Sequence, residues 1–343
     1  MYSFMNDYSE GAHPKVLELL MKSNLEQNAG YGEDTHTAKA KEYIKKLLGN
    51  EKADIHFIPG GTQTNLIVIS SFLRPYEGVI AADTGHINVH ETGAIEATGH
   101  KVITVPNREG KVIPEDILEA VRFHSDEHMV KPAMVYISDS TELGTVYTKE
   151  EIYKIRQLCN REGLLLFLDG ARLGSALASR ENDLELSDIA ELTDVFYIGG
   201  TKNGALLGEA LVIVKEELKA NFRYLIKQRG ALMAKGFVAG IQFEALFSDS
   251  LFYELGEHAN EMAGRIGDTL KSLGMEFLAP PVSNQLFPIL PDEFLEELQE
   301  EFLFSVQKSM GNGESAVRFV TSWATTPASV EALCEFLKKR FKK

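Results

Sequence analysis

Leu164-Leu165-Leu166-Phe167-Leu168-Asp169-Gly170-Ala171-Arg172 begins with five apolar residues in a row. An apolar run without polar alternation describes a strand buried on both faces, as the central strands of parallel sheets are. Working outward, residues 133–137 read as a strand, and Thr148 with Glu151 three residues on forms a capping box that opens the next helix. Further upstream, residues 54–58, 78–82 and 101–105 read as strands. They alternate with helical patterns at 62–73, 86–98 and 114–123. Downstream, residues 195–198 and 211–214 complete a set of seven strands. Repeated strand–helix units predict an α/β fold with a mainly parallel seven-stranded sheet sandwiched by helices.

Pro14 suits the first turn of an initial helix, and residues 38–48 form a second, closed by Gly49. From about residue 250 the pattern changes to longer helices with isolated strands at 286–290 and 317–321, and a last helix from Pro327 to about Phe341. The expected organisation is an N-terminal arm and helix over 1–25, a large domain over 26–250 and a smaller C-terminal α/β domain over 251–343.

The 343 residues are ample for a large core. The net charge of -15 repels phosphate backbones and anionic membranes, which argues against nucleic-acid and membrane partners. Two cysteines, Cys159 and Cys334, rule out a disulfide scaffold and fit a reducing compartment. The first residues carry Asp7 and Glu10 and no long apolar core, unlike a secretory signal. No apolar run is long enough to span a bilayer, so a cytoplasmic protein is expected.

In open α/β sheets, ligands bind beyond the carboxyl ends of the strands, so the strand ends carry the search. After Ile58 comes Pro59-Gly60-Gly61-Thr62-Gln63-Thr64-Asn65, leading into a helix. Glycines let backbone approach an anion and the helix start offers free N–H groups, which makes a phosphate cup; a plain capped turn would read the same way. Walker A and GxGxxG patterns are absent. Asp169 follows its strand directly, and a buried acid needs a partner. A protonated pyridine nitrogen is one such partner, and a helix cap is the plainer one. After Ile198 comes Gly199-Gly200-Thr201-Lys202-Asn203-Gly204. A lysine among small residues at a strand end suits a Schiff-base amine, although most loop lysines are simply solvated. His86 stands after another strand, where an imidazole can stack on a planar ring. His86 and His90 share a helix face, but HExxH and a third ligand are missing, so no metal is expected. Arg172 and Arg318 are the best carboxylate clamps.

These residues resemble the L-threonine aldolase and aromatic amino acid β-eliminating lyase family, pyridoxal-phosphate (PLP) enzymes of the aspartate-aminotransferase fold type. The stretches that carry it are Tyr31-Gly32-Glu33-Asp34, Gly60 to Asn65, His86 with Glu91, Leu168-Asp169-Gly170-Ala171-Arg172-Leu173, Lys202, and Val317-Arg318. The resemblance implies that Lys202 holds the cofactor, Asp169 partners its pyridine nitrogen, Gly61 and Thr62 bind its phosphate, and His86 stacks on its ring. It implies that Arg172 and Arg318 take the substrate carboxylate. It also implies a homodimer or homotetramer with interfacial sites, with Lys227, Gln228, Arg229 and Lys235 near a phosphate.

The implied reaction is retro-aldol cleavage of L-threonine or L-allo-threonine to glycine and acetaldehyde, with His86 as the candidate base. The chain departs from the family in two places. No histidine occurs in Tyr136-Ile137-Ser138-Asp139-Ser140-Thr141-Glu142, where members carry Asn-Thr-His, and Met5-Asn6-Asp7 stands where they carry Arg-Ser-Asp. Rival expectations are PLP-dependent β-elimination or transamination, a non-catalytic protein of the same fold, and a metal-dependent hydrolase through His86 and His90.

Overall fold

The computed structural model describes residues 1–341. Its centre is a seven-stranded sheet of β1 (Asp54–Ile58), β2 (Glu77–Ala82), β3 (Val102–Val105), β4 (Lys131–Ser138), β5 (Leu165–Asp169), β6 (Val195–Gly199) and β7 (Glu209–Ile213). The strand order is β1-β7-β6-β5-β4-β2-β3. β7 alone runs antiparallel to its neighbours, and the other contacts are parallel or bridge through it. The expected mainly parallel α/β sheet is therefore observed.

Side-chain alternation along β5 feeds two cores. Leu166 and Leu168 pack on one face with the helices Thr35–Leu48, Lys149–Glu162 and Phe237–Phe247. Phe167 packs on the other with the helices Gly61–Phe72 and Phe222–Gln228. Covering both faces is what a continuous apolar strand requires. Thr148 and Glu151 form the expected reciprocal cap. Gly49 closes the helix Thr35–Leu48 with φ of 61°, a left-handed conformation that glycine adopts without strain.

One predicted helix is corrected. Residues 86–98 do not form a single helix. A short turn at His86–Val89 stops, Thr92 and Gly93 take φ of 52° and 70°, and a 3-10 turn follows at Glu96–Thr98. Positive φ cannot be accommodated inside a right-handed helix. The strand read at 286–290 is likewise two short pieces, Gln285–Leu286 and Ile289–Pro291, on either side of Phe287-Pro288.

Beyond the large sheet, Glu314–Val320 pairs antiparallel with Ile289–Pro291, Ser305–Ser309 and Gln285–Leu286. This sheet has its own core of Met262, Ile266, Phe294, Phe319 and Leu333. The helix Leu251–Ser272 belongs to both halves: Leu251, Phe252 and Leu255 enter the large core, while Met262, Ile266 and Leu270 enter the small one. The N-terminal arm also joins them. Tyr2–Ser3 pairs with Phe302–Leu303, Phe4 sits in the small core, and Val16 sits in the large one.

Candidate active site

Register brings the strand ends to one edge. Ser138 of β4 lies beside Asp169 of β5, and Glu209, the first residue of the reversed strand β7, lies beside both Ile58 of β1 and Gly199 of β6. The loops leaving this edge enclose a cavity of about 280 Å³. Its lining includes Gly61, Thr62, His86, Glu142, Asp169 and Lys202. The backbone must pass very close here. A Cβ on Gly170 would sit 1.9 Å from the Tyr197 carbonyl oxygen, so only glycine lets the turn after β5 lie against β6.

Asp169 is the hub. Its Oδ1 accepts from the Tyr197 hydroxyl at 2.5 Å and the Ala171 N–H at 3.0 Å. Its Oδ2 accepts from the Tyr136 hydroxyl at 2.5 Å and Asn65 Nδ2 at 3.1 Å. Burial works against the charge on this carboxyl, but His86 and these donors outweigh it and hold it below the ordinary carboxylate range. Asn65 Nδ2 also donates to Glu91 Oε1 at 2.7 Å, and the same oxygen meets His86 Nδ1 at 2.8 Å. His86 is thereby tied to Asp169 through Glu91 and Asn65.

Lys202 faces this carboxyl's cavity from the turn after β6. Burial and the Arg172 charge lower the pKa of its amine, which Asp7, Asp169 and Glu209 only partly offset. Among the described residues its Nζ has no hydrogen bond or ion pair. Glu209 instead accepts from the Gly200 N–H and the Thr201 hydroxyl, both at 2.9 Å, and burial pushes its carboxyl up to about 7.

At the same edge, after β1, the helix Gly61–Phe72 starts at Gly60 with no side-chain cap, and Thr62 is exposed to the cavity. Uncapped first-turn N–H groups make an anion cradle. An unpartnered amine, a carboxylate held charged and an open anion cradle around one cavity fit an aromatic aldehyde that carries a phosphate and a ring nitrogen. PLP is such a molecule, and the residues present fit it.

The two arginines differ from each other. Arg172 donates from Nε and Nη2 to Asp7 Oδ2 and Oδ1 at 2.7 and 3.1 Å, so the fork expected to face a ligand faces the N-terminal arm. Asn284 Nδ2 donates to the same Asp7 carboxylate at 2.9 Å. Arg318 stands outside the cavity lining, and among the described residues its buried Nε has no partner. Burial and the nearby Arg172 charge lower its pKa to about 10. His90 is exposed, its ring 5.5 Å from that of His86, and among the described residues no three His, Cys, Asp or Glu side chains converge on a metal position. Lys227 lies over the Tyr31 ring at 4.7 Å, and the Arg229 carbonyl accepts from Gln63 in the first turn of the cradle helix.

Sequence reading gave no role to Tyr136, Tyr197, Asp7 or Glu209. The tyrosines carried a signal: a phenol inside an otherwise apolar buried strand needs a polar partner. Asp7 and Glu209 carried none that local pattern reveals.

The model of the family described as beta-eliminating lyase matches residues 7–292. A low specificity L-threonine aldolase from a Pseudomonas species is 32% identical over 334 residues, 96% of this chain and 95% of that protein. A solved structure of Leishmania major threonine aldolase superposes with a TM-score of 0.98 at 53% identity, covering 99% of this chain and all of that one. A Thermus thermophilus aspartate aminotransferase mutant shares the fold, with a TM-score of 0.73 at 16% identity over 96% of this chain and 89% of that one. The match to the family model and the full-length likeness agree with the cavity: the chain belongs to the beta-eliminating lyase family of PLP-dependent enzymes.

Proposed function

We propose that this protein cleaves a β-hydroxy-α-amino acid, L-threonine or L-allo-threonine, to glycine and acetaldehyde. The observation that carries the reading is the shared cavity of Lys202 and Asp169, an unpartnered amine of lowered pKa on the same wall as a carboxylate that His86 and two phenols keep charged. The Pseudomonas and Leishmania relatives supply the substrate class. When bound, the cofactor supplies an electron sink for the pair left at Cα.

This chain's residues prepare that chemistry. Lys202, with its proton loosely held, is the amine that would hold the cofactor covalently. Asp169 would stabilise a protonated ring nitrogen, Gly61 and Thr62 would hold the phosphate, and His86, oriented by Glu91, would pack on the ring. Arg318 keeps an unpartnered guanidinium for the substrate carboxylate, while Arg172 acts through its pair with Asp7. Fixing the carboxylate sets which bond at Cα stands ready to break.

We further propose a cytoplasmic homodimer or homotetramer. Both cysteines are free and buried, and Leu206 and Leu207 are exposed, Leu207 on the cavity wall. Among the described residues no helix is long and apolar enough to cross a membrane.

The test is an aldehyde assay of the PLP-loaded protein with both threonine diastereomers. Acetaldehyde in step with glycine is expected. Pyruvate with ammonia, or amino transfer to an added keto acid, would replace the aldolase reading by elimination or transamination.

A further inference from the structure

The cavity contains a further carboxyl group, linked to Asp169 only through the hydroxyls of Ser138 and Tyr136. Glu142 lies in the loop after β4, on the cavity wall with Lys202 and His86. Its Oε1 accepts from the Ser138 hydroxyl at 2.7 Å and from the His86 backbone N–H at 2.8 Å. Two donors converging on one oxygen fix the carboxyl plane. They also leave Oε2, which has no hydrogen bond among the described residues, as the oxygen that can carry a proton.

We propose that Glu142 is the proton acceptor for the substrate's β-hydroxyl group, a role that rests on the retro-aldol reading above. The hydroxyl O–H bond breaks and its proton passes to Glu142 Oε2. The oxygen's electrons form the aldehyde carbonyl, and the Cα–Cβ bond breaks with its electron pair left on Cα, where a proton later completes glycine. The aldehyde leaves neutral and no oxidant or reductant is needed.

The surroundings of Glu142 suit this use. Burial raises its pKa, with the Asp169 charge acting in the same direction and the Ser138 and His86 donors opposing. The charged and titratable groups around it come from several elements: Asp169 and Arg172 from the end of β5, Tyr136 from β4, Tyr147 from the following loop, and His86 with Glu91 from the loop after β2. A base with a pKa raised toward the working pH gives and takes protons efficiently. His86 is the rival base. Its Nδ1 is held by Glu91, which orients the ring and leaves Nε2 as the atom that would compete with Glu142 Oε2.

The experiment compares PLP-loaded wild type, Glu142→Gln and Glu142→Asp on two substrates. Glycine has no β-hydroxyl, so exchange of its α-hydrogen with D2O reports everything except the proposed step. In Glu142→Gln, threonine kcat is expected to fall on the order of 100-fold or more, the usual reach of general base catalysis. KM, the absorbance of the bound cofactor and glycine exchange should stay within a few-fold, and Glu142→Asp should recover part of the loss. In the cofactor-free protein, infrared titration should show one carboxyl band that Glu142→Gln removes. Equal losses of cleavage and exchange in Glu142→Gln would overturn the proposal in favour of a structural role. Undiminished threonine cleavage would overturn it in favour of His86. Wild type that exchanges glycine but releases no aldehyde would instead defeat the aldolase reading itself, and this proposal with it.

Discussion

Asp7 and Arg172 lie 165 positions apart and form a two-point ion pair, with Nε to Oδ2 at 2.7 Å and Nη2 to Oδ1 at 3.1 Å. The pair clamps the N-terminal arm over the turn that follows β5. Burial alone would raise the Asp7 carboxyl, but Arg172 and Lys202 outweigh it and hold it low. Removing one member leaves the other charge buried, which costs roughly 3–5 kcal/mol. Asp7→Asn should therefore lower the Tm of the cofactor-free protein by several degrees, as measured by thermal unfolding. An unchanged Tm would show that the arm is not held this way.

Arg318 predicts the opposite signature. Its guanidinium is partly buried, has an unpartnered Nε and lies near the Arg172 charge, so the fold gains nothing from it. Arg318→Gln should leave Tm unchanged or slightly raised. If Arg318 receives the substrate carboxylate, KM for threonine should rise on the order of 100-fold, since a charged hydrogen-bonded pair is worth roughly 3 kcal/mol. Steady-state kinetics beside an unfolding curve separates the two effects.

The phenols on Asp169 give a graded test. Tyr197→Phe removes one donor to Oδ1 while keeping Tyr136 on Oδ2. A hydrogen bond to a charged group is worth about 1.5–3 kcal/mol. A kcat loss of roughly tenfold or more is expected with the cofactor still bound, and Asp169→Asn should lose more. Equal kcat in all three proteins would remove Asp169 from the chemistry.

These partners show where sequence reading stops. β5 was legible because five apolar residues in a row have no other economical place than the centre of a parallel sheet, and Thr148 with Glu151 announced their helix for the same local reason. The break at Thr92-Gly93 overrode the helical pattern that residues 86–98 display, because two successive positive φ values are invisible to hydrophobic periodicity. Lys202, Asp169, Thr62 and His86 could be picked out because each follows a strand. Glu209 could not, because it begins a strand, and only the reversal of β7 brings it to the same edge. Asp7 was illegible for a different reason: its partner is chosen by tertiary packing, not by any local spacing.

Asp139 offers a pH test away from catalysis. It is buried, and desolvation pushes its carboxyl up to about 8 against a weak contact with the Tyr147 N–H. An ordinary unfolded aspartate titrates near 3.9. Between these values the unfolded chain releases the proton and the folded one keeps it, so stability falls as pH rises from about 4 to about 8 and levels off above. Asp139→Asn keeps an oxygen for Tyr147 and removes the slope. Relative to wild type, its Tm should gain little at pH 4 and several degrees at pH 7.5. A constant difference across that range would show that Asp139 is ionised in the fold.

Borohydride reduction of the PLP-loaded protein asks whether Lys202 carries the cofactor. Reduction should fix the chromophore to the chain, and mass mapping should place the added pyridoxyl phosphate on Lys202 alone, with Lys202→Ala left unlabelled. A label on any other lysine, or none on a protein that nevertheless cleaves threonine, would show that Lys202 does not hold the cofactor.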